Sequence, residues 1–527
     1  MNASRRAAGG VNRSLAARPH AAAARAPSPS RANSMTGAAL LSSHGVAFPR
    51  LNHGSLTEPV ESSISSLGTF WHVTDWHLNE FAPPNASARD LCRSAARAGD
   101  EQPGAFGHPD CDPSADLWEL ALARMAALAP SPDFVFAGGD WLGHVAEGRM
   151  SGAAALSSAV RLAAAVQRTF GPATPVLHAI GNHDTWPYYS LASTWREWER
   201  GWTAELGREY LERQFPGRSL AEWRGGGYYS RRLGASLRLV VLNTNQLALT
   251  DGTAQLDWLE AELVAARRAR QRVLLLGHIP PGPSHYELDS ICAAGHFYQR
   301  AGGACWRGAS QARLLALLRA HADVVRDSVW GHHHTPSVRL VVDGSSGAAV
   351  HTMYLSPSLT PRNPPHDPGV RLYAYDRAAG ELRNYTDFTF DVRRANRRGE
   401  VRWAAEPALA PAGGSGGGGG GGGATKDLSL GLASLAPEEW HRALRRLLAS
   451  DGGASAHSAE EIGRDDPFLR YMSAHRCAQE VYTDSVTSPA PPLRRCKLAV
   501  LCAMLHVEDE PYARCIGEPL GGRRSGT

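Results

Sequence analysis

The sequence is almost without lysine: Lys426 and Lys497 stand against 53 arginines, the 55 basic residues less these two. With its abundant alanine and glycine, this reads as base-composition bias and carries no function. No acid precedes Glu58, and residues 1–57 hold seven arginines (Arg5, Arg6, Arg13, Arg18, Arg25, Arg31, Arg50). The remainder therefore carries −3, the overall +4 less those seven. A slightly acidic body gives no support for nucleic acid as the main partner. No apolar run of about eighteen residues occurs, so no membrane-spanning helix is expected. No cysteine precedes Cys92 and no CxxC pair exists, which disfavours a thiolate zinc site.

What is present falls into five stretches. Residues 1–66 are rich in Ala, Arg, Ser and Pro without periodicity and are expected to be disordered. Their Arg-rich, acid-free composition fits a transit peptide or an atypical start, the second being preferred. Residues 67–404 alternate short apolar strands with helical spacing and end in hairpin-like strands, the pattern of an α/β sandwich. A glycine run within 405–425 reads as a linker or insert. Residues 426–517 are helical by pattern, and 518–527 form a polar tail without the apolar stretch of a lipid-anchor signal.

The eight cysteines are Cys92, Cys111, Cys292, Cys305, Cys477, Cys496, Cys502 and Cys515. Their even number and local grouping favour disulfides, with 92–111, 292–305 and 502–515 as the short loops. Disulfides imply an oxidising compartment. The sequons Asn85-Ala-Ser and Asn384-Tyr-Thr agree with that.

Five motifs share one grammar: Asp75-x-His77, Gly139-Asp140, Gly181-Asn182-His183-Asp184, Gly277-His278 and Gly331-His332-x-His334. Each places Asp, Asn or His just after an apolar strand, with glycine usually beside it. Strand ends at one sheet edge converge in space. Glycine is expected to free room for an ion. The x-spaced pairs are expected to lie on extended backbone with both side chains to one side. Alone, an Asp-x-His or a Gly-His is weak, and Gly-Asn-His-Asp is moderately specific. All five in order leave coincidence a remote explanation. Such a set can hold two metals, with Asp140 as the bridging carboxylate and neutral Asn182 limiting negative charge where a phosphate binds. An imidazole-rich set suits zinc or iron over magnesium or calcium. Two ions about 3.5–4 Å apart clamp a phosphoryl oxygen and acidify a water between them. His72, His178 and His333 are read as structural or solvated.

These motifs resemble the calcineurin-like metallophosphoesterase signature. Phe70-Trp71-His72-Val73-Thr74-Asp75, Gly104-Ala105-Phe106-Gly107 before Cys111-Asp112, and Gly226-Gly227-Tyr228-Tyr229-Ser230 narrow the resemblance. Leu242-Asn243-Thr244-Asn245, Gly277-His278-Ile279-Pro280-Pro281-Gly282 and Tyr375-Asp376-Arg377 add to it. Together they are similar to the acid sphingomyelinase-like phosphodiesterases, types 3A and 3B, over Thr69 to Cys515. The resemblance implies a β-sandwich flanked by helices, with a small disulfide-bonded helical region at the C-terminal side. It implies one metal on Asp75, His77, Asp140 and His334 and a second on Asp140, Asn182, His278 and His332. A histidine four residues after the bridging aspartate, here His144, and His183 are then the candidates for protonating the leaving oxygen and stabilising the charged transition state. Asp184 is a weaker candidate for orienting His183. The chain departs from the pattern at Trp141-Leu142-Gly143, where smaller, Pro-containing residues are usual. It also lacks a close tail-cysteine pair before Cys496-x5-Cys502, leaving Cys477 as the partner at hand for Cys496. With no cysteine before Cys92, a saposin-type module is not expected, and the polar tail looks more like soluble type 3A than anchored type 3B.

The expected function is a secreted or lysosomal dinuclear, zinc-dependent phosphodiesterase acting on nucleotides, nucleotide-linked choline or similar small diesters. Metal-held hydroxide attacks in line and a histidine protonates the leaving group. Sphingomyelin is the alternative substrate. A catalytically weak lipid-binding regulator at a membrane surface is the alternative of another class, which the intact ligand set argues against.

Overall fold

Among the described residues, the computed structural model has twelve strands, most of them rich in β-prone apolar residues: β1 (Leu67–Val73), β2 (Phe134–Ala137), β3 (Val176–His178), β4 (Tyr229–Leu233), β5 (Leu237–Val241), β6 (Arg272–Leu276), β7 (Asp327–Trp330), β8 (Ser337–Val342), β9 (Ala349–Leu355), β10 (Gly369–Asp376), β11 (Glu381–Thr389) and β12 (Ala404–Pro407). The structure describes residues 66–83, 85–144, 151–191, 194–283, 306, 308–362, 367–409, 430, 432–449 and 493–516. All but Ser66 of the segment 1–66 expected to be disordered, the glycine run and the polar tail lie outside them. So do Cys292, Cys305 and Cys477, and the side chain of Cys496.

The strands form two six-stranded sheets, β12-β11-β10-β1-β2-β3 and β4-β5-β6-β7-β9-β8. In the first, β1, β2 and β3 run parallel, and β10 to β12 extend it antiparallel. In the second, β5, β6, β7 and β9 are parallel between antiparallel β4 and β8. The first sheet's register is marked by a stack of rings: Phe70 pairs with Phe134 on β2 and Tyr373 on β10, centroids 4.4 and 4.7 Å apart.

Period two explains why β5 and β6 are apolar throughout. Leu239, Val241, Leu274 and Leu276 enter a core shared with β1 and β2, whereas Val240, Leu242, Val273 and Leu275 face the other way. That second face is covered by Leu256, Leu259 and Leu263 of helix Thr253–Arg268 and by Leu314, Leu315 and Leu318 of helix Gly308–Ala320. Burial on both faces is typical of parallel strands. Helices Ala115–Leu128 and Gly152–Phe170 pack into the first core. The C-terminal helices Pro437–Ala449 and Leu493–Leu505 join it through Trp440, Leu444, Val500, Leu501 and Met504.

The three strands expected to be hairpin-like split in their pairing. β8 and β9 are antiparallel, but β9 also lies parallel to β7, and β10 pairs antiparallel with β1 and β11. The sequence pattern does not single out helices Thr194–Leu206, Arg208–Gln214 and Ser219–Gly226, whose Trp198, Trp202 and Trp223 are fully buried together.

Candidate metal centre

Parallel strands deliver their C-terminal ends to one edge. Asp75 and His77 follow β1, Asp140 follows β2, Asn182 and His183 follow β3, His278 follows β6, and His332 and His334 follow β7. The candidate ligands thus come from parallel strands of both sheets. The structure brings Asp75, His77 and His334 into one cluster and Asp140, His278 and His332 into a second. Asn182 reaches the second cluster, its Oδ1 3.1 Å from His278 Nε2.

The backbone at these positions is not extended as expected. Asp75, His77, Asp140, His332 and His334 all have positive φ, between 38° and 71°. This region disfavours residues with a Cβ, and such strain persists only where the surroundings over-determine it. Those surroundings are visible. The Asp75 and His77 amides donate to Gly139 O and Asp140 O, 3.0 Å each, tying the β1 loop to the β2 loop. The His332 amide donates to Asp75 Oδ2 at 2.8 Å, and the His183 amide to Asp140 Oδ1 at 2.7 Å. The neighbouring glycines make room for carboxylates more than for an ion. A Cβ on Gly181 would collide with Asp140, and one on Gly331 with Thr74 and Asp75.

Three imidazoles are oriented by backbone carbonyls. The Nδ1–H groups of His77, His278 and His334 donate to Leu142 O (3.0 Å), Gly138 O (2.8 Å) and Arg362 O (2.7 Å). Each Nε2 therefore turns inward. His77 Nε2 and His334 Nε2 lie 3.2 Å apart, and in the neutral Nδ1–H tautomer each turns a lone pair toward the other. Two facing lone pairs repel unless a cation lies between them, and two nitrogens on one tetrahedral zinc are about 3.4 Å apart. Asp75 Oδ1 faces His334, His278 and His77 Nε2 at 3.5, 3.9 and 4.0 Å, too far for a good hydrogen bond. Asp140 Oδ2 faces both clusters, 3.2 Å from His278 Nε2 and 3.6 Å from His77 Nε2. It is the oxygen placed to bridge. These donors fit two divalent ions.

The electrostatics agree. Burial raises Asp75 and Asp140, but His278 and the other imidazoles outweigh it and hold both carboxyls below the usual range. Burial pushes His77 and His332 down to about 3, so both rest neutral, the form that ligates. His278 is the exception. Burial lowers it, yet Asp140 and then Asp75 carry it up to about 9, so without a metal a proton supplies the missing positive charge.

His144 and His183 stand beside this centre. The His144 ring is 4.3 Å from those of His77 and His183, and His183 lies 4.7 Å from His77. His144 Nδ1 meets both oxygens of Asp112 at 3.1 and 3.2 Å, and its amide donates to Asp112 Oδ2 at 2.6 Å. Thr360 Oγ1 donates to Asp112 Oδ1 at 2.8 Å. Asp112 is the residue sequence reasoning missed; the available signal was its place next to disulfide-forming Cys111. Asp184 does not orient His183. Its carboxylate accepts the amides of Asp140 and Gly181 (2.8 Å each) and Trp141 (2.9 Å), locking the β2 loop to the β3 loop.

Among the described residues two disulfides are formed, Cys92–Cys111 and Cys502–Cys515. His72, His178 and His333 are all buried and none is solvated; His178 Nε2 meets Tyr210 Oη at 2.7 Å. Asn85 is exposed. Asn384 is half-buried on β11, and its amide group pairs with the backbone of Leu409.

Comparison with known proteins matches the calcineurin-like phosphoesterase family over residues 68–336. The chain is 29% identical to human acid sphingomyelinase-like phosphodiesterase 3b over 85% of its length and 90% of the relative's. It is 31% identical to the mouse protein of that name over 66% and 76%. To the rat cyclic GMP-AMP phosphodiesterase SMPDL3A it is 25% identical over 86% and 92%. The chain belongs to the calcineurin-like phosphoesterase family, among the acid sphingomyelinase-like phosphodiesterases, and is a metal-dependent phosphodiesterase.

Proposed function

We propose that the chain hydrolyses phosphodiester or phosphoanhydride bonds in small nucleotide-like substrates, in an oxidising extracellular or lysosomal compartment. The observation that carries the hydrolytic reading is the inward convergence of His77 and His334 Nε2, 3.2 Å apart, beside Asp75 and Asp140. Asp75, His77, Asp140 and His334 would hold one divalent ion, and Asp140, Asn182, His278 and His332 the other. The majority of imidazoles favours zinc. A bound metal pair supplies electrophilic stabilisation of the phosphoryl oxygens and acidifies the attacking water.

The protein's own groups do the rest. His144 protonates the leaving oxygen through Nε2 while Asp112 holds Nδ1–H and supports the imidazolium. His183, whose backbone amide is fixed on Asp140, offers its ring to the phosphoryl oxygens. The names of the relatives, a cyclic GMP-AMP phosphodiesterase among them, favour nucleotides; a Dictyostelium relative named sphingomyelinase phosphodiesterase C supports sphingomyelin as the alternative. The Cys92–Cys111 and Cys502–Cys515 bridges and the exposed sequon at Asn85 support the secretory setting. No described helix is long and apolar enough to cross a membrane. The test is zinc-supplemented protein assayed against ATP, CDP-choline, cyclic dinucleotides and sphingomyelin. Turnover of the nucleotides is expected; turnover of sphingomyelin alone overturns the substrate assignment, and of none, the enzymatic one.

A further inference from the structure

Among the described residues, three large apolar side chains are exposed: Leu67, Trp186 and Leu191. Leu67 begins β1, at the end of that strand away from the ligands. Trp186 and Leu191 instead follow directly on Asn182 and His183. Of the fourteen tryptophans, Trp186 alone is exposed, at 38%. Tryptophan gains most from burial, so an indole left in water at the rim of a reaction centre marks a surface kept for a ligand.

The segment bearing it is pinned to the centre. Tyr189 N–H donates to Asn182 O at 3.1 Å, Thr185 Oγ1 donates to the same carbonyl at 3.2 Å, and Ser190 N–H donates to Thr185 Oγ1 at 3.2 Å. Tyr188 packs its ring on His183 with centroids 4.1 Å apart, and its hydroxyl donates to Gly143 O at 3.3 Å. Trp186 stands next in line, 5.9 Å from Tyr188 with the ring planes at 85°. Its Cβ lies beside Gly152, where helix Gly152–Phe170 begins. Two ring-to-ring steps therefore lead from His183 outward to an indole held in place and open to solvent.

We propose that Trp186 is the stacking platform for the nucleobase of a nucleoside phosphate whose phosphate lies at the metal centre. This rests on the phosphodiesterase reading and deepens it by assigning the residue that holds the base. A single open indole suits a flat ring, since every base presents a π-face. A quaternary ammonium instead calls for several aromatic faces around it. Tyr188, the nearest candidate for a second face, is committed to His183 and Gly143.

The experiment measures binding of AMP and of ribose 5-phosphate to zinc-supplemented protein by calorimetry. Turnover of a chromogenic phosphodiester is followed in parallel. The wild type is expected to bind AMP on the order of 10-fold more tightly than ribose 5-phosphate. Trp186→Ala removes that preference by weakening AMP, and Trp186→Phe keeps most of it. Equal affinities in the wild type, or a preference that survives in Trp186→Ala, overturn the proposal. So does loss of co-sedimentation with sphingomyelin–phosphatidylcholine vesicles in Trp186→Ala while the AMP preference stands, which assigns the indole to a lipid surface. Absence of phosphodiester turnover defeats the hydrolytic reading alone, because the binding comparison needs no catalysis.

Discussion

Replacing Asp112 with Asn tests how the proton donor is positioned. The side chain of Asp112 is 1% exposed and its carboxylate spans both the ring and the backbone of His144. Asn keeps one oxygen for the Nδ1–H group but removes the charge that stabilises the imidazolium. A hydrogen bond to a charged group contributes about 1.5–3 kcal/mol, so turnover should fall roughly 10- to 150-fold. The loss should appear with an alkyl leaving group, which needs a proton, and shrink with a nitrophenyl diester, which does not. Arg362 Nη1 lies 3.7 Å from Asp112 Oδ2 and loses one counter-charge, so the melting temperature should fall as well. Metal content should hold, since the hydrogen bonds of Asp112 go to His144 and Thr360 and to none of the clustered ligand candidates. Equal losses on the two substrates, or unchanged turnover on the alkyl diester, would refute the positioning of His144 by Asp112.

Three further outcomes are expected. His144→Ala should lower turnover about 10²–10⁴-fold on alkyl diesters and much less on nitrophenyl diesters, whereas His183→Ala should be impaired on both; loss of zinc in either variant would return that histidine to the ligands. Cys92→Ser opens a bridge spanning 19 residues and should cost about 3 kcal/mol of stability, with reduced turnover because Cys111 adjoins Asp112; a melting curve identical to wild type would contradict this. His351 is buried at 0% exposure and pushed by burial down to about 4, with its nitrogens engaged by Val325 O and Ser328 Oγ. The unfolded chain takes up that proton near pH 6.5 and the fold refuses it, so stability is full above pH 6.5 and falls by up to about 3 kcal/mol toward pH 4. His351→Gln should flatten the dependence of melting temperature on pH over that interval; an unaltered slope would exclude His351 as its source.

The candidate ligands were legible because each follows an apolar strand, most with a glycine nearby, and parallel strands bring such ends together wherever they fall in the chain. Their backbone was not legible. The x-spaced pairs suggested extended backbone, yet positive φ falls on Asp75, His77, His332 and His334, and on Asp140 as well. Adjacency misled at Asp184, which follows His183 in sequence but turns its carboxylate to the amides of Asp140, Trp141 and Gly181. Asp112 was hidden for the opposite reason: its partner His144 is 32 residues away and no strand announces it. β4 and β11 are hard to read as strands because charged residues, Arg231 and Arg232 in one and Glu381 and Arg383 in the other, blur the apolar alternation. The helices bearing Trp198, Trp202 and Trp223 escaped because their large rings are interleaved with charges over short spans.

The central claim is that one carboxylate oxygen joins two metal sites, and metal analysis of purified Asp140→Asn beside the wild type tests it most directly. Asp140 Oδ2 is the atom that faces both His77 and His278. The wild type should hold about two divalent ions per chain, and Asp140→Asn should lose at least one of them together with turnover. A wild type that binds no metal, or an Asp140→Asn variant that retains both ions and full activity, would contradict the account.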